Sequence, residues 1–109
     1  MRTIACSLCL IAALAAAPAK RTFTGVITDS MCATGDHSRM RMGPTDGECT
    51  TACISEHGAL YVLYDGKVAW TLSDQKTPER FAGKRVKVTG SADEKAQTIQ
   101  VDSIVAAAK

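Results

Sequence analysis

The chain has 109 residues, of which 46% are hydrophobic and 22% charged, with a formal net charge of +2. That is apolar enough for one small packed domain and excludes a disordered chain, while a charge so near neutrality leaves no electrostatic footprint for nucleic acid. Burial stabilises a domain of this size only marginally, so a disulfide or a metal is a common supplement in small exported proteins.

Met1-Arg2 is a minimal positive start, Ile4 to Ala16 is almost unbroken apolar sequence, and Ala17-Pro18-Ala19 has the small-residue form of a cleavage site. Together these predict a secretory signal over residues 1–19 and a single mature domain over 20–109, placed in the periplasm or outside the cell. The apolar run is shorter than the roughly 20 residues that span a bilayer, and no second candidate follows, so no permanent membrane anchor is expected. Cys6 and Cys9 lie within the signal, and neither follows the Leu-x-small pattern of a bacterial lipoprotein. Without Arg2 the formal charge falls to +1, and Cys32, Cys49 and Cys53 are the cysteines that remain.

Thr22 to Asp29 (TFTGVITD) is rich in β-branched residues and reads as a first strand. Ala59 to Tyr64 and Lys67 to Ser73 flank Asp65-Gly66, a strong hairpin signal. A two-residue Asp-Gly turn pairs Tyr64 with Lys67, so that Leu63 faces Val68, Tyr61 faces Trp70 and Ala59 faces Leu72 on the core side. Leu60, Val62 and Tyr64 then point outward as an apolar face that either a helix covers or a ligand occupies. Thr77 to Gly83 reads as one turn of helix, with Pro78 at its first position and Gly83 at its exit. Lys84 to Gly90 alternates with Val86 and Val88 inward, Ser91 to Gln97 reads as an open loop, and Thr98 to Val105 alternates until it slips phase at Ile104.

The expected fold is all-β, a five-stranded OB-like barrel with a short cysteine-bearing helix after strand 1 and a one-turn helix between strands 3 and 4. An SH3-like barrel is the alternative. The segments TFTGVITDSMC, GKRVKVTG and TIQVDSI resemble small exported bacterial OB-like proteins, including a family of unknown function with a similar start and cysteine loop. That resemblance runs from Phe23 to Val105 and implies a fold and an exported location, with no activity to carry over.

The insertion after strand 1 holds the chemistry. Thr45-Asp46-Gly47-Glu48 has the form of a capping box, which starts a helix running to His57 with Gly58 as its stop. Cys49 and Cys53 then stand one turn apart on one face, Cys49 in the first turn, where free amides favour a thiolate. One reading is a disulfide from Cys32 to Cys49 or Cys53, because a regular helix holds Cys49 and Cys53 too far apart to bridge. A second is a metal site for zinc or copper on Cys32, His37, Cys49 and Cys53, with Met31, Met40 and Met42 in the same loop favouring copper. A third is thiol redox chemistry with Cys49 attacking.

The remaining candidates have plainer accounts. His37 beside Asp36 and Ser38 makes no catalytic triad and reads as a solvated loop histidine, while His57 reads as a helix C-terminal cation. Asp29 and Asp36 read as capping and solubilising residues, and Arg85 and Lys87 as a solvated basic face without interleaved aromatics. The combined reading is a non-enzymatic exported module, stabilised by a disulfide, for an unknown small ligand or protein. A soft-metal binder and a thiol-disulfide redox protein are the alternatives.

Overall fold

The computed structural model describes residues 19–108, so the predicted signal lies almost wholly outside the described residues, and Cys6 and Cys9 with it. Five strands, β1 (Arg21–Asp29), β2 (Tyr61–Tyr64), β3 (Ala69–Leu72), β4 (Arg85–Asp93) and β5 (Thr98–Ala106), carry α1 (Asp46–His57) after β1 and a 3₁₀ turn (Thr77–Phe81) before β4. The all-β expectation and both helix positions hold. Strand β1 pairs antiparallel with β2 on one side and β4 on the other, β2 pairs with β3, β3 runs parallel to β5, and β5 pairs with β4. The order β1-β2-β3-β5-β4 therefore returns to β1, and the sheet closes on itself.

Alternation along the strands fills the interior. Phe23 and Ile27 of β1, Tyr61 and Leu63 of β2, Trp70 and Leu72 of β3, and Val86 and Val88 of β4 are all buried in one cluster, while Arg85 and Lys87 are exposed as expected. The backbones of β1 and β2 approach so closely that a Cβ on Gly25 would collide with the Tyr64 carbonyl oxygen. The Gly25→Ala variant is accordingly expected to lose about 1–3 kcal/mol, read as a lowered denaturant midpoint.

The hairpin register corrects the prediction. Tyr64 pairs with Ala69, Leu63 with Trp70 and Val62 with Thr71, two residues away from the expected partners. Asp65 is the cause, for its carboxylate accepts from the Lys67 and Val68 amides at 2.8 Å each, and its own amide donates to the Val68 carbonyl. That side chain favours a turn centred on Gly66-Lys67, with Gly66 at φ 99°, over one centred on Asp65-Gly66. A shift of two preserves the face of every side chain, so Tyr61, Leu63, Trp70 and Leu72 stay inside.

Two further differences concern β4 and β5. Strand β4 continues to Asp93, so the segment predicted as a loop from Ser91 is partly strand, because Ser91, Ala92 and Asp93 pair with Gln100, Ile99 and Thr98. The phase slip at Ile104 is a bulge: Thr89 pairs with Ser103 and Gly90 with Val101, which leaves Asp102 as the extra residue. Ile99 and Ile104 thus both reach the core.

Candidate metal centre

The last residues of β1 organise the insertion. Asp29 Oδ1 accepts from the amides of Met31 and Cys32, both at 3.0 Å, which turns the chain out of the sheet as an aspartate does at a tight turn. The Cys32 carbonyl then accepts from the Thr28 hydroxyl at 2.8 Å and from the Gly35 amide at 2.8 Å, with Gly35 in the left-handed region at φ 77°. These bonds fold residues 32–37 back onto β1, where Thr28 and Asp29 are fully buried.

His37 is the largest correction to the sequence reading. Rather than a solvated loop residue, it is only 3% exposed, with Nε2 3.5 Å from the Thr28 hydroxyl and Nδ1 3.9 Å from Asp29 Oδ2. One ligand atom each from Asp29, Cys32 and His37 lie within 4.8 Å of one another, all three residues buried. Among the described residues, three buried side-chain polar atoms lack a hydrogen-bond partner, and two of them are Asp29 Oδ2 and His37 Nδ1. Asp36, by contrast, is exposed and accepts from the Ser38 amide. That bond holds its carboxyl below the ordinary range.

Helix α1 brings the other two thiols. Thr45 caps it by accepting from the Glu48 amide at 3.2 Å, and Gly58 ends it at φ 65°, as the sequence predicts. Its buried residues include Cys49 and Cys53, and all three cysteines of the described residues are free. Cys49 donates its thiol to the Met40 carbonyl and accepts from the Met42 amide, both at 3.3 Å, so it ties the loop to the helix and stands outside the three-residue cluster. Burial pushes the Cys53 thiol up to about 11, helped by the charge of Asp29. Burial and then Asp29 also raise Cys32 above its ordinary 9.0. Both thiols are therefore protonated at neutral pH unless a cation joins them.

The chain matches no family model, no curated protein and no solved structure. Among the described residues no helix is long and apolar enough to cross a membrane.

The apolar outward face expected of Leu60, Val62 and Tyr64 is covered in part. Leu60 is exposed and Tyr64 half-buried, but Val62 is only 3% exposed. It pairs with Thr28, the residue over which the insertion folds. Asp29 is the ligand candidate that sequence reasoning passed over as a cap. Its one legible signal was the Asp-x-x-Cys spacing at a strand end, and capping accounts for only one of its two oxygens.

Proposed function

We propose that this chain is an exported, non-enzymatic OB-like barrel that binds one d-block metal ion, zinc by its donor set, on Asp29, Cys32 and His37. A closed order of β1-β2-β3-β5-β4 with β3 parallel to β5 favours the OB-like arrangement over an SH3-like one. The apolar run and small-residue site of residues 1–19 support export.

One observation carries the metal reading. The Thr28 hydroxyl has a single hydrogen, and it goes to the Cys32 carbonyl. Its oxygen can therefore only accept from His37, which assigns the proton of a neutral imidazole to Nε2 and leaves the lone pair of Nδ1 facing Asp29 Oδ2. With a neutral imidazole the two are buried acceptors 3.9 Å apart, too far for a direct hydrogen bond, and they repel without a cation between them. Two ligand atoms each about 2.0–2.2 Å from a shared zinc ion stand no more than about 4.4 Å apart, and carboxylate, imidazole and thiolate are all zinc ligands. The Nε2–H contact to Thr28 is the kind of outer support that orients a metal-bound histidine.

Native mass spectrometry tests this, with cysteine alkylation under denaturing conditions as the second reading. One zinc per chain and three alkylatable thiols after chelation are the expected result. A mass lower by two hydrogens with no zinc bound would return the disulfide-stabilised barrel and sink the metal reading.

A further inference from the structure

The insertion also carries sulfur that the centre does not use. Met31, Met40 and Met42 are 45%, 41% and 36% exposed, although methionine in a small domain ordinarily fills gaps in the core. Met31 and Met40 line a surface depression of about 450 Å³ that Cys32 also borders. Each of the two is tied by its backbone to a residue of the centre: the Met31 amide donates to the Asp29 carboxylate at 3.0 Å and the Met40 amide to the His37 carbonyl at 3.3 Å. The Cys49 thiol fixes the Met40 carbonyl from the helix side. Asp36 and Arg39 on the same wall bring one charge of each sign, so the mouth has no net electrostatic preference and its selectivity rests on the thioethers.

Thioethers are neutral, soft and free of any proton to displace, which suits Cu(I) and gives zinc no comparable grip. We propose that this depression is an outer site, separate from the zinc centre, where Met31 and Met40 bind a Cu(I)-class ion.

The test uses the full-length chain labelled with ¹³C at its methionine methyl groups and titrated with Ag(I), a redox-inert stand-in for Cu(I), alongside a separate zinc titration. Ag(I) is expected to shift the Met31 and Met40 methyl resonances in the wild type and in Cys32→Ser. In the Cys32→Ser background, where no thiolate borders the depression, adding Met31→Leu and Met40→Leu, which conserve volume at exposed positions, is expected to lower Ag(I) affinity at least about tenfold, while the Met31→Leu/Met40→Leu double variant alone leaves zinc binding unchanged. Unmoved methyl resonances in a protein that still binds zinc overturn the outer site and leave the inner centre standing. Shifted methyl resonances in a protein that binds no zinc remove the inner centre and leave the outer site standing.

Discussion

Cys32→Ser is expected to weaken zinc binding by about two orders of magnitude. The thiolate is the single sulfur among the three proposed ligands, and a loss of about 3 kcal/mol, a modest share of the roughly 10–16 kcal/mol of a structural zinc site, corresponds to roughly a hundredfold in affinity. Serine keeps the Cys32 amide on Asp29 Oδ1 and the Cys32 carbonyl on the Thr28 hydroxyl, so the loop retains its turn and the loss falls on the ion. The companion variant Asp29→Asn separates a metal centre from a buried acid–imidazole pair. Its amide oxygen keeps the Met31 and Cys32 amides, while its NH₂ points a donor at His37 Nδ1, where the carboxylate presents an acceptor. Zinc affinity is then expected to fall, with the stability of the metal-free protein held or raised; a metal-free protein destabilised by several kcal/mol would show instead that the native pair is an ion pair with protonated His37.

Binding should also depend on pH in one direction. Cys32 is protonated at neutral pH, its thiol held above 9.0 by burial and the charge of Asp29, and the ion must displace that proton. Apparent affinity is therefore expected to rise about tenfold per pH unit between pH 7 and 8 in isothermal titration, and a flat profile would remove Cys32 from the ligand set.

The second large effect is on the fold. Trp70→Ala is expected to cost about 3–5 kcal/mol in denaturant unfolding, a large part of the roughly 5–15 kcal/mol that stabilises a domain. The indole is 5% exposed and packs on Phe23 at 5.3 Å between ring centroids, tilted by 56°. Its Nε1–H donates to Asp65 Oδ2 at 3.0 Å. That bond joins core packing to the hairpin turn, since Asp65 Oδ1 holds the Lys67 and Val68 amides. Trp70→Phe keeps much of the packing and removes the hydrogen bond, an expected loss of about 1–2 kcal/mol.

The phenylalanine variant has a pH signature. Desolvation raises the Asp65 carboxyl, but the bonds from Val68, Trp70 and Lys67 together outweigh it and hold the group below its ordinary 3.8. A folded-state value lower than the unfolded one contributes stability that is present above about pH 4 and lost as pH falls through the folded value. The gap between wild type and Trp70→Phe should thus narrow below about pH 4, and a gap independent of pH would assign the whole loss to packing.

Much of the architecture was legible in the order of residues. The inward set Tyr61, Leu63, Trp70, Leu72, Val86 and Val88 followed from alternation, because a strand has a period of two and only one face reaches the core. The Thr45 cap and the Gly58 stop of α1 were readable because capping is local chemistry within a few residues. The hairpin register was not, since Asp65 could serve either as a turn residue or as the side chain that holds the next turn, and the Trp70 indole that bonds it lies across the hairpin.

The candidate site divides along the same line. Sequence by itself determined that Cys32, His37, Cys49 and Cys53 belong to one insertion, that Cys49 and Cys53 share a helix, and that methionines stand among them, all consequences of spacing along one chain. Only the tertiary structure decided which of them meet. Asp29 joins them because two loop amides occupy one carboxylate oxygen and leave the other unbonded, while Cys49 stands outside that cluster with its thiol bonded to the Met40 and Met42 backbone. His37 becomes a buried donor because the Thr28 hydroxyl and the Asp29 carboxylate fold its loop down onto β1. Burial and the direction of a lone pair depend on the path of the chain through space, and no local pattern around residue 37 encodes that path.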